Sequence, residues 1–298
     1  MIKIQIVIPA INLWENYSKP CIDSIKTKYD YRILFVDNGS TDQTKIEAGK
    51  LVSNVFAHQR NEETWSCAKT WNFAVKDAFA RGFDYALVLN NDVLLHPETI
   101  DRLVDRFEES KRKLIAIPDK NLEMHAELTE VSMEAPMSKQ VFESEILAMV
   151  TAMNVRGDCK EPKDIFTLDA KNYEIVNEAE HPDFSAFMIS KEAYEKVGDF
   201  DEAFIPCYWE DNDYHTRITK SGLKALVIPS AIYYHYGSRT QVEALGGGRT
   251  VSTHETFNNN RAYFITKWGG LPNEERFDLP FNRKENTLKS TMQNGIVR

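Results

Sequence analysis

The sequence predicts an α/β protein with a mostly parallel central sheet flanked by helices and a helical extension at the C-terminal end. Three observations carry this. Short apolar runs alternate with helix-periodic segments from Ile2 to Leu89, the rhythm of strand, helix, strand units. Tyr85–Leu89 (YALVL) is continuously apolar, as a strand buried on both faces must be. Glu255 to Trp268 has helical spacing and ends at Gly269-Gly270, a helix terminator.

Taken in order, Ile2, Ile4, Ile6 and Ile8 alternate with Lys3, Gln5 and Val7 until Pro9 stops the run, so a strand opens the chain. Tyr31–Val36 is a second strand. It is followed by the turn Asp37-Asn38-Gly39-Ser40 and a helix from about Gln43, capped by Asp42. A shorter apolar stretch ends at His58. Thr64 to Arg81 places Trp65, Ala68, Trp71, Phe73, Val75, Ala78 and Phe79 at helical spacing, and the YALVL strand comes next. Between Asp119 and Pro182 the pattern loosens into charged and Met-rich sequence, which reads as an insertion of mixed short elements beside the main sheet. Phe184–Ile189 then reads as a strand and Lys191–Val197 as a short helix. A helix from Glu210 to Ser221 is closed by Gly222, and Leu226–Pro229 and Ala231–His235 follow as extended chain. Gly246-Gly247-Gly248 marks a loop.

The 298 residues suffice for one large domain or two small ones. With 36 Lys+Arg against 45 Asp+Glu the net charge is −9, the wrong sign for gripping nucleic acid by bulk charge, so no nucleic-acid partner is expected. Cys21, Cys67, Cys159 and Cys207 form no C-x-x-C pair and read as reduced, packed thiols. No segment approaches the roughly 18 apolar residues of a membrane span, and the first nine residues lack an uninterrupted signal core, which predicts a cytoplasmic protein.

In a doubly wound sheet the ligand sits beyond the carboxyl ends of the strands, so the polar groups there matter most. They are Asn12 after the first strand, Asp37 to Ser40 after the second, Asn90-Asn91-Asp92 after YALVL, and His235. There is no G-x-G-x-x-G and no P-loop, so a diphosphate here needs a metal. Asp92 and His235 are hard oxygen and imidazole donors suited to Mn²⁺ or Mg²⁺. Singly, an Asp after a strand is more often a turn former, a lone His among tyrosines more often a packed ring, and acidic residues at a helix start are favoured by the macrodipole alone. The acidic pair Glu210-Asp211 beside Trp209, after a run with proline and aromatics, is less easily explained that way.

Together four segments resemble the inverting glycosyltransferases of family 2, which have the GT-A fold. They are FVDNGSTDQT (Phe35–Thr44), LNNDV (Leu89–Val93), the run from Ser185 to Phe204 leading into YWEDNDYHTRITKSG (Tyr208–Gly222), and YYHYGS (Tyr233–Ser238). The resemblance covers about residues 1–240. It implies a GT-A catalytic domain over 1–240, with a Rossmann-like nucleotide-binding half and an acceptor half, then a lid loop, C-terminal helix and tail over 241–298. It makes Pro9, Ala10, Ile11 and Asp37 the base pocket, with Asn90 and Asn91 on ribose or donor sugar. Asp92 would bind Mn²⁺ (or Mg²⁺) with His235 completing the shell; Asp211 would be the general base, with Glu210 and Trp209 beside the acceptor. Lys69 would meet a phosphate or base, although a solvated helix lysine is the commoner case. The implied partners are a nucleoside diphosphate sugar, with a UDP-sugar favoured, and a carbohydrate-type acceptor.

The sequence departs from the family pattern in three places, the first being Asp119 to Pro182, which matches nothing in it and which the resemblance would assign to acceptor recognition. The D-x-D signature is Asn90-Asn91-Asp92, with one carboxylate in place of two, and Ser66 stands where the family has a glycine. Tyr236 to His254, directly after the expected metal ligand, is expected to act as a lid over the donor. The polar tail after Leu271 is compatible with docking in a homo-oligomer. Two other readings compete with transfer. One is a binding protein that kept the fold without turnover. The other is a sugar nucleotidyltransferase, for which Ala10-Ile11-Asn12-Leu13-Trp14 lacks the basic, glycine-rich loop.

Overall fold

The computed structural model describes residues 1–57, 66–115, 146–174, 184–237, 239, 243 and 251–280, with side chains of 113–115 and 251–254 excepted. Among them eight strands form one sheet: β1 (Lys3–Ala10), β2 (Asp30–Asp37), β3 (Val55–Ala57), β4 (Tyr85–Leu89), β5 (Val93–Leu95), β6 (Leu147–Asn154), β7 (Ala186–Ser190) and β8 (Lys224–His235). Their order is β3-β2-β1-β4-β7-β6-β8-β5. The helices are α1 (Lys19–Asp23), α2 (Thr44–Leu51), α3 (Cys67–Ala80), α4 (Thr99–Ile115), α5 (Lys191–Val197), α6 (Glu210–Lys220) and α7 (Val251–Trp268). None is long and apolar enough to cross a membrane.

The sheet is parallel from β3 through β4 and mixed beyond, because β7 runs antiparallel to both β4 and β6 while β8 is parallel to β6. Reversing β7 brings its start, Ala186, opposite Leu89 at the end of β4. The ends of β1, β2, β4, β6 and β8 and the start of β7 therefore share one edge. Both faces of the sheet are covered, so the central strands are mostly apolar on both faces. Ile4, Ile6 and Ile8 face a layer containing Leu103, Val104 and Phe107 of α4; Val7 faces Trp71, Ala74, Val75 and Ala78 of α3. Gln5, fully buried on that second face, donates through Nε2 to the Ala74 carbonyl at 3.0 Å and accepts from Arg32 through Oε1. A polar residue is tolerated there because both ends of its amide are satisfied.

Several expectations are revised. The stretch 119–182 is not simply an insertion beside the sheet: Leu147–Asn154 is β6, an interior strand paired with β7 and β8. Residues 116–145 and 175–183 of that stretch lie outside the described residues. The extended pieces around Pro229 are one strand, in which pairing with β6 skips from Ile228 to Ile232. Proline has no N–H to give a ladder and sits in the skipped bulge. The helix expected from Thr64 starts at Cys67, where Ser66, fully buried, accepts from the Lys69 N–H at 3.1 Å. That N-cap role gives a physical reason for serine at this position. Residues 58–65 lie outside the described residues, as do the Gly246–Gly248 loop and the tail beyond 280. All four cysteines are free thiols.

Candidate active site

Two loops leave the ends of β1 and β2 and are laced together. Ala10 stands opposite Asp37, and the Asn38 N–H donates to the Ala10 carbonyl at 2.8 Å. Asn12 and Leu13 both have positive φ, 56° and 62°, which turns the chain sharply after Ile11. The turn is held from the neighbouring loop: Asn12 N–H donates to Ser40 Oγ and Leu13 N–H to Asp42 Oδ2, each at 2.8 Å, while Asn12 Oδ1 accepts from Thr41 N–H at 2.8 Å. Asp37 is buried and accepts from the Ser40 N–H. Pro9, Ala10, Ile11 and Asp37 are thus brought together. Thr70 of α3 donates to Asn38 Oδ1 at 3.0 Å, tying α3 to this corner; Lys69, one residue earlier, is exposed.

At the end of β4 the chain passes through Asn90, Asn91 and Asp92. Asn90 N–H donates to the Ser185 carbonyl at 2.8 Å. Asn91 is buried and its amide donates to Ser18 Oγ at 3.0 Å. Asp92, 3% exposed, lies beside His235, whose Nε2 is 3.2 Å from Asp92 Oδ1. The other ring nitrogen, Nδ1, is 3.2 Å from Ser185 Oγ. The pairing follows from the sheet, because β5 and β8 place Val93 opposite His235. Burial would raise the Asp92 carboxyl, but the hydrogen bond and charge of His235 and the Arg239 N–H outweigh it and hold the group below the usual carboxylate range.

Tyr17, which the sequence reading did not single out, and Tyr236, Arg239 and Glu243 of the segment read as a lid lie around this pair. The Arg239 N–H donates to Asp92 Oδ2 at 3.0 Å, and its guanidinium reaches Glu243 at 3.1 Å. Tyr17 OH donates to the Glu243 carboxylate at 2.9 Å, and the Tyr17 and Tyr236 rings meet edge to face at 5.1 Å. No local pattern marks Tyr17, 226 residues away from Glu243 in the chain. Of the segment read as a lid, 236–254, residues 238, 240–242 and 244–250 lie outside the described residues.

The acidic pair opens α6. Tyr208 and Trp209 immediately before it have φ of 76° and 75°. Glu210 is 5% exposed, and Oε2 has no hydrogen-bond partner among the described residues. Burial first, then the charge of Asp211, pushes its carboxyl well above the usual range. Asp211 is half-buried and accepts from the backbone N–H and the side-chain amide of Asn212 at 2.8 and 3.0 Å. Trp209 is 9% exposed, with its ring against Phe257 and Phe264 of α7. The loop is tied to the start of α3 by the Cys67 N–H, which donates to the Pro206 carbonyl at 2.8 Å. Through Cys67, Thr70 and Asn38, α3 therefore links the acidic pair to the β1–β2 corner. Among the described residues no group of three His, Cys, Asp or Glu side chains converges as a metal site.

A row of polar groups along the strand ends, tied through α3 to an acidic helix start, is set in a mixed α/β architecture of the GT-A type. Residues 5–139, somewhat less than half of the chain, match the model of glycosyl transferase family 2. A galactofuranosyl glycosyltransferase of Leishmania donovani is 28% identical over 267 residues, 84% of this chain and 60% of the relative. The chain thus spans about 60% of that relative's length. Among solved structures, residues 1–349 of S. aureus TarS align with a TM-score of 0.51 at 13% identity, over 99% of this chain and 79% of that one. The same TarS segment in complex with UDP-GlcNAc aligns at 0.52 and 14% identity, over 99% and 72%. GalNAc-T7 with UDP, GalNAc and Mn²⁺ aligns at 0.56 and 13% identity, over 99% and 54%. At these identities the structural likeness speaks for the fold.

Proposed function

We propose that this chain transfers a sugar from a UDP-sugar to a hydroxyl of a carbohydrate acceptor, with inversion at the anomeric carbon. The observation that carries the reading is the Asp92–His235 pair, 3.2 Å apart at the shared strand edge, with the loop before Glu210-Asp211 tied through α3 to the β1–β2 corner of that edge. The ligands bound to the fold neighbours, UDP-GlcNAc with TarS and UDP with GalNAc-T7, and the sugar in the Leishmania relative's name favour a UDP-hexose donor.

Pro9 to Ile11 and Asp37 would seat the base at the β1–β2 corner. A carboxylate next to an imidazole is a donor set that fits Mn²⁺ or Mg²⁺, so Asp92 and His235 would hold the cation. When bound, it supplies positive charge that neutralises the leaving diphosphate. The two carboxyls of the acidic pair divide the remaining work. Glu210 is 5% exposed, with burial and the charge of Asp211 raising its carboxyl well above the usual range, so the base role is assigned to its more accessible neighbour. Asp211, at the helix start and less buried, accepts the acceptor's proton as the hydroxyl oxygen bonds to the anomeric carbon and the bond to the diphosphate breaks.

The test measures UDP release from UDP-glucose, UDP-galactose and UDP-N-acetylglucosamine with Mn²⁺ and a panel of sugar acceptors. Asp211→Asn is expected to reduce transfer by about 100-fold or more, the scale of a positioned base; full transfer by this variant would overturn the base assignment. Asp92→Ala and His235→Ala should each weaken Mn²⁺-dependent UDP binding at least tenfold by calorimetry, and unchanged binding would remove the cation from this site. Tight UDP binding without turnover on any acceptor would favour a binding protein.

A further inference from the structure

Resting on the reading of Asp211 as base, we propose that Asn260 of α7 is the positioning residue of the catalytic loop, so that the site is incomplete without the C-terminal helix. The loop 205–209 that delivers Glu210 and Asp211 contains two consecutive non-glycine residues with left-handed backbone, Tyr208 and Trp209. Side-chain-bearing residues adopt that conformation only when their surroundings impose it. Within the loop the Trp209 carbonyl accepts from the Asp213 N–H of α6 at 3.0 Å and the Pro206 carbonyl from the Cys67 N–H, whereas the carbonyls of Ile205, Cys207 and Tyr208 lie ahead of the helix and look elsewhere for a donor.

Asn260 supplies what is missing. It is 5% exposed, and its Nδ2 donates to the carbonyls of Cys207 at 2.8 Å and Tyr208 at 3.1 Å, with Ile205 at 3.4 Å. Three carbonyl oxygens around one group admit only a donor, which also settles which end of the amide faces them. The same helix closes on the other neighbours of the acidic pair. Phe257 and Phe264 pack on the Trp209 ring. One turn into α6, Asp213 accepts from Trp268 Nε1 at 2.9 Å and pairs with Lys267 Nζ at 2.7 Å. The chain before the pair and the side chain after it are therefore both held by α7, while the family match ends at residue 139 and includes none of these residues.

The test uses the full chain with two substitutions that remove the donor, Asn260→Asp and Asn260→Leu. Three quantities are read: hydrogen–deuterium exchange of residues 205–211, UDP affinity with Mn²⁺ by calorimetry, and kcat for UDP release. The expected result is faster exchange in 205–211, UDP affinity within about twofold of wild type, and a fall in kcat on the order of 10- to 100-fold, the scale of an ångström-size misplacement. In an Asp211→Asn background the substitution should add little, because both changes disable the same proton transfer. Unchanged exchange in both variants would overturn the clamp whatever Asp211 does. So would a loss of UDP affinity as large as the loss of kcat, or full multiplication with Asp211→Asn, since either marks general damage. If Asp211→Asn transfers normally, the base assignment fails alone; exchange and the kcat-to-affinity split still decide the role of Asn260.

Discussion

Glu210 and Asp211 are neighbours in sequence with different environments, and the difference sets a pH-dependent stability. Glu210 is buried with an oxygen that finds no partner among the described residues, and its carboxyl is raised well above 4.5 by burial and by Asp211. A raised folded-state value means that the folded protein binds the proton more tightly than the unfolded chain. The contribution is therefore complete below the ordinary value of 4.5 and is lost as the pH rises through the folded one. Glu210→Gln keeps the shape without a charge to bury. It should match the wild-type Tm near pH 4.5 and exceed it near about pH 8, by roughly 2–4 °C for each kcal/mol relieved. Thermal melts across that range check this, and a pH-independent difference would show that Glu210 ionises as freely when folded as when unfolded.

At the scale of elements, β6 makes the sharpest case. Its burial is nearly complete from Leu147 to Ala152, and Thr151 is fully buried with its hydroxyl unpartnered among the described residues. An unmet hydroxyl in a dry sheet interior costs about 1–3 kcal/mol, and valine has nearly the same shape. Thr151→Val should thus raise Tm by a few degrees in calorimetry; a lower Tm would mean that the hydroxyl is satisfied in solution. The same strand shows what a sequence reading can and cannot reach. β4 and α5 are predicted with the ends observed, because both are bounded locally, β4 by the turn at Gly82 and by Asn90, α5 by the Ser190 cap and Gly198. β6 has no such markers. Buried on both faces, it loses the alternation that identifies a strand, and its partners lie in β7 and β8, far along the chain. α4 is likewise unassigned in the sequence reading, although its Leu103, Val104 and Phe107 are core residues under the sheet. The strand-end motifs at Asp37, Asp92 and His235 are legible because their chemistry is carried by a few residues in fixed order. Asn260 and Tyr17 are not, because their partners are backbone carbonyls and a carboxylate far away in sequence.

For the molecule as a whole, the join between α7 and the sheet-bound helices rests on a buried ion network. Lys267 is 1% exposed and pairs with Asp201 at 2.5 Å and Asp213 at 2.7 Å; Tyr263 donates to the same Asp201, and Arg217 to the same Asp213. Around it lie Phe204, Trp209, Phe264 and Trp268, an apolar cluster with contributions from both sides of the join. Such a network adds little over an apolar packing of equal volume, yet it is costly to break from one side, because the remaining charges stay buried. Lys267→Met leaves two carboxylates facing the gap and should cost about 3–5 kcal/mol. At 2–4 °C per kcal/mol, that lowers Tm by roughly 10 °C. Burial would raise the Asp201 carboxyl, but Lys267 outweighs it and holds the group below 3.8. Its stabilisation is accordingly full above that value and lost as the pH falls through the lowered one, so the Tm gap between wild type and Lys267→Met should narrow in acid. Adding Asp213→Asn to Lys267→Met should return part of the lost stability at neutral pH, since it removes one of the stranded charges. If Lys267→Met melts with wild type at neutral pH, the ammonium is not what holds α7 to α6, and the apolar cluster alone makes the join.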